Sequence, residues 1–301
     1  MTNFKDKISN KLNKRLVTNE QRTDFYSTLF LLPSLIGVLV FFVVPFFIVI
    51  RYSTIDNPIH NHFVWFKNFV QVMKNLAFQK ATLNTIIFSL VAVPLAVALA
   101  LILAVVLDMK LPFKSQLRSF FLSPLMVPTA SIVLIWKVLF HSSGTINAIF
   151  GLNIDWLNSK YAQIVLILLF LWKNLGYNMI LFMSALGSIP GDALEAAELE
   201  NITKWQIFWN IKIRYITSTV LFVTIMSLIN SFKVFREVYL MKGDYPYETM
   251  YLLQHFMNNT FVALDYQKMS AAAVLMAIVM GTIIGWLFHI EEKISKDVEE
   301  G

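Results

Sequence analysis

The chain has 301 residues, of which 57% are hydrophobic and only 15% charged, with a formal charge of +6 and a mean hydropathy of +0.62. Soluble domains average about 45–50% apolar and about 25% charged residues, so an ordinary soluble enzyme and a disordered chain are both excluded. Zero Cys removes disulfides, thiolate metal sites and Cys nucleophiles.

What remains is a polytopic membrane protein. The length alone would admit two soluble domains, but apolar segments tile the chain, which reads as one helical membrane domain over 25–290. The basic residues lie between those segments, where they suit membrane anchoring and not nucleic-acid binding. In residues 1–24, Phe4, Ile8, Leu12 and Leu16 recur every four residues among Lys5, Lys7, Lys11, Lys14 and Arg15. That spacing predicts a helix lying on the inner membrane surface, the other reading being a basic disordered tail. A helix needs about 20 mostly apolar residues to cross a bilayer. Six runs qualify: Phe25–Ile50, Ala81–Leu107, Ser119–Phe140, Ala162–Ser184, Tyr215–Phe232 and Ser270–Ile290. Lys137 and Lys173 are their only charged residues, and no run contains Asp or Glu. The first run is too long for a signal peptide and no small-residue cleavage site follows it, so it is expected to be retained. Pro33, Pro45, Pro94, Pro124 and Pro128 fall inside the first three runs, where proline kinks a helix or breaks it.

Orientation follows from the connections. Residues 1–24, 108–118, 185–214 and 291–301 hold 14 Lys and Arg in 76 residues, whereas 51–80, 141–161 and 233–269 hold 9 in 88. The basic-rich set belongs in the cytoplasm, which predicts both termini inside, with 291–301 as a cytoplasmic tail of a multi-pass protein of the cell membrane.

The connection 185–214 is long for a helical hairpin and carries signs of structure. Pro190 followed by Asp192 suits a helix start. Ala193, Ala196 and Ala197 form a small-residue face beside Glu195, Glu198 and Glu200, and Asn201 is suited to end that helix. Thr203 and Gln206 have capping-box spacing, and Trp205, Phe208, Trp209 and Lys212 follow at helical spacing. Two short helices outside the bilayer make a rigid foot suited to a socket on a cytoplasmic partner.

These residues carry a resemblance. Ser188-Ile189-Pro190, Glu195-Ala196-Ala197, Trp205-Gln206-Ile207-Phe208 and Ile211 resemble the EAA loop of ATP-binding-cassette importer permeases. Leu31-Leu32-Pro33, Asn84-Thr85, Trp136 with Phe140, Gly144 and Asn147, and Trp156-Leu157 resemble the carbohydrate subfamily, the maltose, glycerol-phosphate and multiple-sugar permeases. The chain departs from that pattern at Asn201 (usually Gly), Ile202 (usually Ala), Arg214 (often Pro) and Lys242–Pro246 (usually Gly-Gly-Pro). The resemblance implies an all-α, six-span type I importer domain with a cytoplasmic coupling-helix pair. It further implies a sister permease as heterodimer partner, a dimeric ATPase and an extracytoplasmic solute-binding protein. Glu195, Ala196, Ala197, Asn201, Trp205 and Phe208 are the expected ATPase-coupling residues.

No Gly-x-x-x-x-Gly-Lys-Ser/Thr run occurs, so the chain carries no P-loop motif; the resemblance implies that ATP and Mg are used by the partner ATPase, and no catalytic residue, cofactor or metal is expected on this chain. The five His are scattered, and the one close pair, His60 and His62, reads as surface. Polar groups inside spans should face the bundle interior, as substrate ligands or as interhelical ties. Trp172, Lys173, Asn174 and Tyr177 in the fourth span, and Ser227, Asn230 and Ser231 in the fifth, are the expected substrate-binding set. Trp172, Asn174, Tyr177, Ser227, Asn230 and Ser231, with Asn178, match positions that line the sugar site in maltose-type permeases. Lys173 calls for a counter-acid or an acidic substrate. Lys233 and Arg236 read as interface anchors, or else as guides for an anionic ligand or a binding protein. A carbohydrate is the expected cargo, with a sugar phosphate, an acidic sugar or an amino acid as alternatives. An ion-coupled carrier is disfavoured because no span carries an acid.

Overall fold

The computed structural model describes residues 30–109, 113–200 and 202–299. The helix or tail expected over 1–24, the first five residues of the first span, and Asn201 lie outside the described residues.

Thirteen helices account for most of the described chain. α1 is Phe30–Ser53, followed by α2 (Lys67–Lys74), α3 (Leu76–Asp108), α4 (Lys114–Met126), α5 (Thr129–Leu139) and α6 (Thr145–Phe150). Then come α7 (Ala162–Gly187), α8 (Gly191–Leu199), α9 (residues 204–215), α10 (Thr217–Lys233), α11 (Phe235–Lys242), α12 (Leu253–Val262) and α13 (Tyr266–Glu299). Five stretches are long and apolar enough to cross a membrane: α1, α3, α7, α10 with α11, and α13 through Lys293. A bent pair, α4 and α5, makes six if it is taken as one span.

Two spans differ from the sequence reading. The run Ser119–Phe140 is not straight: α4 and α5 meet at 101°. Pro128 disfavours helical backbone at the residue before it, and Val127 is accordingly extended (φ −91°, ψ 130°). The fifth span is longer than Tyr215–Phe232. It runs from Thr217 to Lys242, with a slack point at Val234. Charges at Lys233, Arg236 and Glu237 truncated the apolar run in sequence, yet the helix continues because Glu237 is neutralised in space. A span therefore does carry an acid. Proline has a milder effect in α1, where Leu39–Val43 is π-wound and the Val44 N–H reaches Leu39 O, directly before Pro45, which has no N–H to donate.

The core is built on α3. Ala92, Ala96, Ala100 and Ala104 recur every four residues and are wholly buried, so α7 and α10 approach its backbone closely. Phe88, Leu166, Leu169 and Val238 fill one end of this core, and Leu107, Phe182, Ile216 and Val223 the other. α4 crosses α7 at Gly176, where a Cβ would lie 1.9 Å from the Phe121 carbonyl oxygen. None of the apolar stretch of α1 is buried. It is held through its second half by α13, and an apolar helix needs no core where lipid is the solvent.

The ends of the spans are pinned by side-chain amides. Asn84 Nδ2 donates to Glu248 O (2.6 Å) and Tyr251 O (2.9 Å), while the Leu253 N–H donates to Thr85 Oγ1 at 2.9 Å. Asn147 Nδ2 donates to Ser142 O and Ile154 O, and Trp156 Nε1 donates to Asn147 Oδ1 at 2.7 Å. Trp136, Phe140 and Trp156 continue that tie as an aromatic row. His255 on α12 is fully buried, and the Leu252 N–H donates to its Nδ1 at 3.1 Å. The ring proton is thus on Nε2, which has no partner. Burial pushes the His255 pKa down to about 4.

Two outcomes follow from this packing. Gly176→Ala is expected to destabilise the protein by about 1–3 kcal/mol, since backbone must move. Gly281→Ala, which meets nothing within 4 Å, should leave the melting temperature in place, and equal melting of the two variants would contradict the close approach. His255 titrates at about 4 when folded against about 6.5 when unfolded. Its stabilising contribution is therefore complete above pH ~6.5 and is lost as pH falls through ~4, amounting to about 3 kcal/mol at most. Melting curves between pH 7 and 4 should be steeper for the wild type than for His255→Gln.

Candidate functional site

A charged residue in an apolar helix needs a partner or water. Lys173, midway along α7, finds Glu237 of α11, and its Nζ donates to Oε1. Glu237 is 4% exposed, and its second oxygen, Oε2, has no hydrogen-bond partner. This pair forms one wall of a cavity of about 950 Å³ between α4, α7, α10, α11 and α12. Asn174, Asn230, Lys233, Arg236, Tyr239 and Gln254 supply its remaining polar lining, and Leu125, Leu169, Phe170 and Leu240 are among its apolar walls.

The expected substrate set divides in space. Lys173, Asn174 and Asn230 line the cavity, and Asn230 Nδ2 donates to Asn174 Oδ1 at 3.0 Å. Ser227 and Ser231 are fully buried and do not reach it. Asn178 Nδ2 donates to Ser227 Oγ at 2.9 Å, and Ser231 Oγ lies 2.8 Å from Ser89 Oγ, so both serines tie α10 to neighbouring spans. Trp172 and Tyr177 sit on exposed surface of α7 and do not line the cavity. The Trp172 ring contacts Trp136. Glu237 escaped the sequence reading because it lay beyond the apolar run, although Lys173 called for either a counter-acid or an acidic substrate. Tyr239 and Gln254 had no such signal.

A second cluster stands at the other end of α7. The Ser188 hydroxyl donates to Ala185 O as α7 ends, and α8 begins at Gly191, directly after Pro190. Glu195 and Ala196 are exposed, Ala193 is half-buried and Ala197 is buried, so the acid is presented and, of the expected small-residue face, Ala197 alone packs inward. The Ile202 N–H returns to Ala197 O. α9 opens with the expected capping box: Thr203 Oγ1 accepts from the Gln206 N–H, and the Gln206 side chain accepts from the Thr203 N–H. Its middle, Ile207–Lys212, is π-wound. Trp205 meets Trp209 edge to face, ring centroids 5.7 Å apart, with Phe208 against both. Trp205 is 70% exposed. Lys212 pairs with Asp108, the last residue of α3, at 3.6 Å. The foot is thereby fastened to α3, the helix on which the core is built.

A chain with helices for five or six membrane crossings, a polar cavity among them and a rigid foot beyond them is a membrane transport component. It belongs to the family of binding-protein-dependent transport system inner membrane components, whose pattern matches residues 92–294. It is 26% identical to the trehalose/maltose transport system permease protein MalF of Thermococcus litoralis over 278 residues, 89% of this chain and 93% of that protein. The sn-glycerol-3-phosphate transport system permease protein UgpA of Agrobacterium fabrum is 26% identical over 271 residues, 87% of this chain and 92% of its own length. A bacterial ABC transporter involved in the import of the acidic polysaccharide alginate superposes with a TM-score of 0.80 at 20% identity, covering 93% of this chain and 99% of that one. That likeness shows a shared fold. With the family given, the acid in the fifth span is no sign of an ion-coupled carrier.

Removing one partner of a largely buried ion pair leaves the other uncompensated, at a cost of about 3 kcal/mol or more. Lys173→Met should therefore lower the melting temperature of the purified protein, and adding Glu237→Gln should restore most of the loss. A double variant no better than the single one would show that the two charges are not coupled.

Proposed function

We propose that this chain is the permease subunit of an ATP-binding-cassette importer that passes a carbohydrate across the cytoplasmic membrane. Family membership and relatives named for sugar and sugar-phosphate transport support the cargo class. The observation that carries the mechanism is the foot: an exposed Glu195 on a short helix, anchored by Lys212 to α3. A separate dimeric ATPase, using ATP and Mg, closes on nucleotide and takes the foot with it. Glu195, with Ala196, Ala197, Asn201 and the Trp205–Phe208 surface, enters a cleft on that ATPase.

The α3–α7 core then transmits the movement as rigid-body rocking, opening the cavity alternately to either side. A sister permease completes the pathway as the other half of a heterodimer, and an extracytoplasmic solute-binding protein delivers the sugar. The connections richest in Lys and Arg lie in the cytoplasm, which places both termini there. Asn174, Asn230 and Lys173 meet the solute's hydroxyls within the cavity. Ser227 and Ser231 hold the wall behind them.

Glu195→Lys in the reconstituted complex is expected to reduce solute uptake at least tenfold and to abolish the stimulation of ATP hydrolysis by loaded binding protein. Uptake at the wild-type rate would remove the coupling role.

A further inference from the structure

We propose that the cavity selects an anionic saccharide, with Lys233 and Arg236 as the pair that receives its carboxylate or phosphate. This rests on the carbohydrate reading above and narrows it.

Charge bookkeeping around the cavity carries the inference. Three cations line it, Lys173, Lys233 and Arg236, against one acid, Glu237. Glu237 is committed to Lys173. No described acid forms an ion pair with Lys233 or Arg236, whereas Lys80, Lys212 and Lys268 each have one. Positions 233, 236 and 237 are three and four residues apart, so they share one side of the helical segment. Lys233 is the last residue of α10 and Arg236 the second of α11, within the span that runs on to Lys242, and both side chains are exposed at the cavity. With Glu237 paired to Lys173, the cavity keeps two cations that have no ion-pair partner among the described residues, and this positive lining attracts an anion.

The geometry of the donors fits the same class of ligand. A guanidinium presents a planar fork that matches carboxylate and phosphate oxygens, while Lys adds a point charge. Asn174, Asn230, Tyr239 and Gln254 remain for neutral hydroxyls. At about 950 Å³ the cavity is near the upper end of the ~300–1,000 Å³ typical of small-molecule sites. An acid-bearing saccharide of more than one ring is accommodated.

The test uses the complete complex in proteoliposomes with its binding protein. Probes are maltotriose (neutral), trigalacturonate (carboxylate), glucose 6-phosphate (phosphate) and glutamate (anionic, not a sugar). The expected result is uptake of trigalacturonate or glucose 6-phosphate and not of maltotriose; which of the two is taken up identifies the anionic group. The maximal uptake rate at saturating binding protein should fall at least tenfold in Lys233→Gln/Arg236→Gln. It should hold in Lys137→Gln, which removes an exposed charge outside the cavity. Trigalacturonate or glucose 6-phosphate should also raise the melting temperature of the wild-type complex, and less so in the single variants Lys233→Gln and Arg236→Gln, a readout that survives any assembly defect of the double variant. Uptake of maltotriose alone, or anion uptake indifferent to both variants, overturns the anionic selection while leaving carbohydrate import standing. Uptake of glutamate alone, or of none of the four probes, overturns both.

Discussion

Lys173 and Glu237 meet inside an otherwise apolar bundle, and much of the site depends on their meeting. An ammonium in mid-span is costly alone, and so is a carboxylate. Together they allow α11 to continue the fifth span where the sequence had turned polar. That continuation carries Lys233, Arg236 and Tyr239 to the cavity wall and packs Val238 and Met241 into the core beside Leu166 and Phe170. The stored cost is not fully offset, because Glu237 keeps an oxygen without a hydrogen-bond partner. A buried ion pair of this kind contributes more to position than to stability.

The foot and the cavity stand at opposite ends of one mechanical element. Close packing of α7 on the alanine row of α3 leaves little compliance between them, since well-packed interiors transmit displacement in preference to absorbing it. Lys212 with Asp108 closes the loop from α9 back to α3. Glu195 on α8 and Asn174 on α7 are thus linked through α9, α3 and α7 by a short path of helix and salt bridge. The bend at Val127–Pro128 serves a different purpose. It swings α5 away from α4 to meet α11, while α4 reaches the cavity through Leu125.

Much of the plan was legible before any coordinates. Apolar runs located the spans because a bilayer demands about 20 such residues per crossing. Thr203 and Gln206 announced a capping box that the structure contains, since that interaction is local and its spacing is fixed. The residues that carried the family resemblance outside the foot prove to be fasteners. Asn84, Thr85, Asn147 and Trp156 tie span ends to connections, and Gly144 sits where a Cβ would strike the Val138 carbonyl. The substrate set was less legible. Helical spacing placed Ser227 and Asn230 close together, but one is spent on Asn178 and the other faces the cavity.

Sequence by itself determined the membrane class, the position of the spans, the foot with its capping box, and the need for a counter-charge to Lys173. Each of these follows from local spacing or from the cost of a group in hydrocarbon, quantities that do not depend on distant residues. Only the tertiary structure decided which acid answers that lysine, where the fifth span ends, which polar side chains face the cavity and which are consumed between helices. Those choices are contacts between segments far apart in the chain, set by how the helices rotate against the alanine row of α3, and no periodicity within one segment encodes them.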